Sequence, residues 1–251
     1  MKLLFLDIEV ALQVGYFYDQ WNTNIPAHKI KHRGFMICAA WKWLGNDKIH
    51  TVSILDDEKR FKKNHRDDYI VAKKLSEQIN EADAICAYNG DNFDVRELNA
   101  SLVLHGLPPL RQVVQIDPYK IAKKHFRFKG GNSLRNLCDL FDVKEKKLHV
   151  DDDIWIGAAD GNIKDIKTVV SRCKSDIPTM IAVYDKLKPY APAKIDYNHF
   201  IPEADVCPSC GHPEFKRDGC KYSAAGKRQQ FRCRKCNHVW ISRNLMKVVH
   251  A

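Results

Sequence analysis

The sequence predicts an α/β protein: a mixed sheet flanked by helices, followed by a small C-terminal module closed around a metal. Three observations carry this. The unbroken apolar run Leu3 to Leu6 reads as a strand buried on both faces, and it delivers two acids, Asp7 and Glu9. Downstream, short β-type runs alternate with segments of helical spacing. Near the C-terminus, Cys207-Pro-Ser-Cys210 and Cys233-Arg-Lys-Cys236 form two CxxC pairs separated by 22 residues, the ligand spacing of a four-thiolate zinc site.

Each element follows from local pattern. Residues two apart on a strand point the same way, so Asp7 and Glu9 emerge on one face. The aromatic, turn-rich segment Tyr16 to Pro26 gives no clear element. Gly34 to Leu44 reads as a long buried strand, Gly45-Asn46-Asp47 as a turn, and Lys48 to Leu55 as the hairpin partner. Ile70 to Ile79 carries apolar residues at helical spacing. Ala84 to Tyr88 is a short strand, Asn89 to Asn92 a loop, and Phe93 to His105 a helix closed by Gly106 and Pro108-Pro109. Val113 to Ile116 is a further strand. Asp117 reads as a helix cap, with Pro118 at the first helical position and the helix reaching about His125. Asn132-Ser133 caps Leu134 to Leu140. The last helical pattern spans Ile163 to Leu187, where Pro178 predicts a kink or a helix that starts near Asp176. Lys188 to Asp205, with three prolines, reads as a linker. The order β-β-β-α-β-α-β-α is what a ribonuclease H-like fold requires.

At 251 residues the chain can hold one sizeable core plus a small appendage, and 45% hydrophobic with 29% charged residues describes a soluble globular protein. No apolar run approaches the ~20 residues of a membrane span. The N-terminal apolar run is too short for a signal peptide, so a cytoplasmic protein is expected. Of nine cysteines, five crowd into thirty residues near the C-terminus, which argues for metal rather than disulfides. Net charge is +10; residues 201–251 hold ten Lys/Arg against four Asp/Glu, so the basic excess is concentrated there and suits a polyanion.

Two carboxylates at the end of a buried strand repel each other and call for a counter-charge, which a divalent cation supplies. Asp94 sits where a strand meets a helix, a place where ligands of open α/β sheets gather, and Asp176 lies on the last long helix. Taken singly, each has an ordinary reading as a solvated acid or a helix-terminal charge. Together, the DxE, the Asn89-Gly-Asp-Asn-Phe93-Asp94 turn and the late Asp176 resemble the DnaQ-like (DEDD) 3′–5′ exonucleases, close to the predicted PolB-like subgroup of bacterial and phage proteins. The likeness extends to Ala40-Trp-Lys-Trp-Leu-Gly45, Leu107-Pro-Pro109 and Lys124-His-Phe-Arg-Phe128, and covers nearly all of residues 1–190. It implies that Asp7, Glu9, Asp94 and Asp176 hold two Mg²⁺ or Mn²⁺ ions for phosphodiester hydrolysis, with Asn89 and Phe93 shaping the site for the 3′-terminal nucleotide of DNA. Relatives carry a Tyr or His one helical turn before the last Asp. Here Arg172 and Ser171 stand in those places, and Arg172 is within reach of Asp176 at i−4. A guanidinium is no ordinary base. A nucleic-acid-binding protein that does not cut is therefore a second expectation, and an RNA-directed exonuclease a third.

Lys120, Lys123, Lys124, Arg127 and Lys129, interleaved with Phe126 and Phe128, form the best polyanion patch of residues 1–190: phosphate contacts plus aromatic stacking grip single strands. After a linker at 191–206, residues 207–251 resemble zinc ribbons attached to transposases and other DNA-acting proteins. That resemblance implies one structural Zn²⁺ on Cys207, Cys210, Cys233 and Cys236, nucleic-acid contacts through Lys227, Arg228 and Arg232, and Cys220 as a spare thiol. With few apolar residues, this module is expected to need its metal to fold.

Overall fold

In a computed structural model, which describes residues 1–18, 21, 24–144, 148–200 and 205–246, the strand Leu3–Val10 (β1) is the middle strand of a five-stranded sheet. A two-stranded ribbon, Val14–Gly15 (β2) with Ile30–His32 (β3), occupies the segment left open by the sequence. Met36–Trp43 (β4) and His50–Ser53 (β5) follow, then the helices Glu58–Lys63 (α1) and Tyr69–Glu81 (α2). Ala84–Cys86 (β6), Asp94–Leu104 (α3), Val114–Ile116 (β7), Pro118–His125 (α4) and Leu134–Leu140 (α5) come next. The domain ends with Asp152–Ala159 (α6) and Ile163–Leu187 (α7). The sheet order is β5-β4-β1-β6-β7, with β1 antiparallel to β4 and parallel to β6. This is the mixed sheet flanked by helices that the element order requires.

Successive residues Leu3, Leu4, Phe5 and Leu6 are all buried although they alternate between faces, so both faces of β1 are covered. α7 lies along β1 and β4, while α2 packs on β4, β5 and α3. Leu6, Ile37, Leu75, Ile85, Leu98, Ile166 and Ile177 are among the fully enclosed side chains of this core. Each contributes about 1.5–3 kcal/mol by leaving water.

Caps fall where the sequence places them. Asp117 accepts the N–H of Tyr119 (2.9 Å) at the start of α4, and Ser133 accepts that of Asn136 (3.2 Å) on α5. Pro178 is the correction: α7 neither starts at Asp176 nor stops there, but runs for 25 residues with the proline inside. Hydroxyls around it bond to nearby carbonyls, Thr179 to Ser175 (2.9 Å) and Ser175 to Arg172 (2.7 Å), and burial of Cys173, Asp176 and Ile177 on the core face holds the turn in place.

The expected linker is also more ordered than its composition implies. It contains two short 3₁₀ turns, Lys188–Tyr190 and Tyr197–His199. Lys194 donates to the Gln115 carbonyl on β7, and Tyr197 N–H donates to Pro208 O (3.1 Å). Residues 201–204 of the expected linker and 247–251 of the expected module lie outside the described residues. The C-terminal sheet comprises Phe215–Ser223 (β8), Gly226–Cys233 (β9) and Val239–Ile241 (β10), in the order β10-β9-β8. Its three aromatic rings, Phe215, Phe231 and Trp240, pack at centroid distances of 5.2–5.7 Å, an apolar nucleus that composition alone does not reveal.

Candidate active site and metal centres

The site is built at the end of β1. Register with β4 sets Asp7 opposite Ala40 and Glu9 opposite Cys38, so small partners leave the two acids room. α7 then brings Asp176 to them. The Cys173 thiol donates to the Asp7 carbonyl (3.4 Å), and Phe5 meets Tyr184 edge-on at 6.1 Å, fixing the helix against the strand on both sides of Asp176. Carboxylate oxygens of Asp7, Glu9 and Asp176 all lie within 4.8 Å of one another. Three like charges this close, with Asp176 only 3% exposed, demand cationic compensation. A hard, all-oxygen donor set of this kind fits Mg²⁺ or Mn²⁺.

Asp94 stands apart from that trio. It opens α3, is 3% exposed, and accepts the Ile8 N–H at 3.1 Å, which ties the helix to the site strand from the other side. Burial pushes its carboxyl up to about 7, opposed by that N–H and its own, and reinforced by Glu9 and Asp117. The turn before it depends on a close approach: a Cβ on Gly90 would sit 2.4 Å from the Ala87 Cβ. Asn89 takes φ 61 in this turn and donates its N–H to Asp117 (2.9 Å), so the helix cap of α4 also pins the loop. Phe93 leaves its ring 41% exposed beside Asp94.

Arg172 is half-buried and reaches across to β1. Its Nε donates to Glu9 Oε1 at 2.9 Å, Nη1 donates to the Leu148 carbonyl at 3.3 Å, and the guanidinium lies 5.4 Å from the Trp155 ring centroid. The sequence pointed to Asp176 as its partner; the ion pair found is with Glu9. Trp155 on α6 was missed altogether. Its signal was the acidic Asp151-Asp152-Asp153 run that opens a helix.

The basic patch is only partly as expected. Lys124 and Arg127 are exposed, and Lys120 forms an ion pair with Asp91. Phe126 and Phe128 stack on each other (4.8 Å, 13°) and pack against Tyr190 and Phe141, so these rings serve the fold and not a base. On β9, Lys227 is exposed beside the Tyr222 ring and Arg228 faces outward in part, whereas Arg232 is held by Asp218 (2.8 Å). The sulfur atoms of Cys207, Cys210, Cys233 and Cys236 lie within 4.8 Å of one another. Backbone N–H groups of Lys235 and Cys236 point at Cys233 Sγ (3.4 and 3.5 Å). Four sulfurs in this cage fit zinc. Cys220 lies outside it, near Met246.

A family model described as the RNase H superfamily matches residues 42–188, more than half of the chain. The chain belongs to the RNase H superfamily. The matched range takes in Asp94, Arg172 and Asp176 but begins after the strand with Asp7 and Glu9. The family B DNA polymerase from the hyperthermophilic archaeon Pyrobaculum calidifontis is similar in fold, with a TM-score of 0.54 at 17% identity over 89% of this chain. This superfamily member spans 31% of that polymerase chain. No curated protein matches it. The superfamily and the shared fold support nuclease chemistry on nucleic acid, and no helix among the described residues is long and apolar enough to cross a membrane.

Proposed function

We propose that this protein is a metal-dependent 3′–5′ exonuclease of the DnaQ-like (DEDD) kind that removes nucleotides from DNA. The observation that carries the reading is the convergence of Asp7, Glu9 and Asp176 within 4.8 Å in a member of the RNase H superfamily. Asp7, Glu9 and Asp176 would hold Mg²⁺ or Mn²⁺, with Asp94 closing the site from α3. The chemistry such a cation supplies is activation of water and stabilisation of the leaving oxygen of a phosphodiester. The exposed Phe93 ring offers a face for the terminal base, and Asn89 shapes the turn beside it. Lys120, Lys124 and Arg127 would take the phosphates of the following nucleotides. Support for DNA comes from the polymerase that shares the fold.

On this reading residues 1–190 form the exonuclease domain and 207–251 a zinc ribbon, joined by 191–206. Zinc on the four cysteines would hold β8, β9 and the preceding knuckle together, presenting Lys227 and Arg228 to the backbone of the substrate. End-labelled DNA and RNA oligomers with Mg²⁺ or Mn²⁺ test the proposal. Stepwise shortening of DNA from the 3′ end is expected, and internal cleavage or shortening from the 5′ end overturns it. Faster shortening of RNA would establish the RNA-directed form. The Arg172–Glu9 pair favours one second reading, a nucleic-acid-binding protein that does not cut. Binding without shortening under both metals would establish that one.

A further inference from the structure

We infer that the Arg172 guanidinium is a built-in cation of the carboxylate site, standing where a two-metal site would place its second charge, so that the site takes one divalent ion. The inference rests on the metal-dependent reading above and fixes its stoichiometry.

Arg172 is not a surface arginine that happens to touch an acid. Its side chain is 17% exposed and that of Glu9 15%, and they meet at 2.9 Å. Leu148 O and the Trp155 ring hold the guanidinium from two further sides. Arginine stays protonated at every accessible pH, so this positive charge is permanent. Glu9 is one of the three acids whose oxygens cluster within 4.8 Å, which makes Arg172 part of the same charge system.

Charge decides between one ion and two. The three clustered carboxylates carry −3. One divalent ion and the guanidinium together supply +3, a neutral centre. Two divalent ions and the guanidinium supply +5, an excess that remains even if Asp94 adds a fourth negative charge. An uncompensated charge in a partly buried site is strongly unfavourable. Asp94 also lies outside the cluster, with Oδ1 engaged by the Ile8 N–H, so the fourth carboxylate is turned to the strand. Removing the guanidinium should therefore open room and negative charge for a second ion.

The test counts ions on the zinc-loaded full chain. Mn²⁺ titration followed by calorimetry and by electron paramagnetic resonance should give one Mn²⁺ per wild-type chain. Arg172→Gln should bind two, with the spectrum of a coupled pair, and Arg172→Lys, which keeps the charge, should return to one. Circular dichroism melts confirm that each variant is folded. Two Mn²⁺ on the wild type, unchanged in Arg172→Gln, overturn the inference while leaving the metal-dependent reading intact. One Mn²⁺ in all three proteins overturns it as well. No Mn²⁺ on the wild type, or Mn²⁺ retained by Asp7→Ala, overturns both.

Discussion

The two clusters suited to metal are assembled in opposite ways. Asp7 and Asp176 come from opposite ends of a large domain and are brought together by β1 and α7, elements with their own buried core. The four cysteines come from two tight knuckles beside a three-stranded sheet whose apolar content centres on Phe215, Phe231 and Trp240. In the first case the fold makes the site, and a cation there adds chemistry. In the second a cation would make the fold. Cores of very different size thus assign different work to a bound ion.

The largest expected effect follows directly. Structural zinc contributes on the order of 10 kcal/mol to small Cys-rich modules, so stripping it should collapse amide protection across residues 205–246 and leave β1 and β4 protected in hydrogen exchange. A module that stays protected would erase the contrast. Next comes Asp7→Ala, which removes a ligand but no core residue: cleavage should fall ~10³-fold or more, corresponding to several kcal/mol of transition-state stabilisation, while the melting temperature holds. Gly90→Ala is smaller. The new methyl collides with Ala87, which should destabilise the domain by about 1–3 kcal/mol, and displacing the Asp94 turn should slow cleavage ~10²-fold, read from melts and single-turnover rates. Smallest is the Lys227→Ala/Arg228→Ala pair. It should leave the rate at saturating substrate unchanged and reduce the salt slope of binding by about 1.5, since each phosphate left without its cation lowers that slope by ~0.7–0.9.

What the sequence revealed and what it hid have physical causes. β1 was legible because burial on both faces erases alternation and leaves a bare apolar run ending in acids. The cysteine cage was legible because chelate spacing is local. Arg172 was misread because an i,i+4 pair is worth only ~0.2–0.5 kcal/mol, and a half-buried tertiary pair with Glu9, braced by Trp155, outweighs it. α6, which supplies that ring, is eight residues long with Gly157 inside, too short for periodicity to show. Phe126 and Phe128 looked like stacking platforms because exposure is not written in sequence; Phe141 and Tyr190 cover them. The candidate site was therefore visible as acids in order along the chain, but not as a trio with one acid set apart.

The segment joining the two sheets has a consequence for binding on both. Lys194 fastens it to β7, Asp196 pairs with Arg243 at 2.7 Å, and Pro189 O meets His238 beside the cysteines. A free tether would spread the second surface over a wide volume and dilute it as the tether lengthened. A fastened one fixes the effective concentration at which the basic strand β9 meets a strand already held near Phe93. The advantage then depends on substrate length: oligomers too short to span both surfaces lose it in a single step, at a length set by the protein and not by sequence.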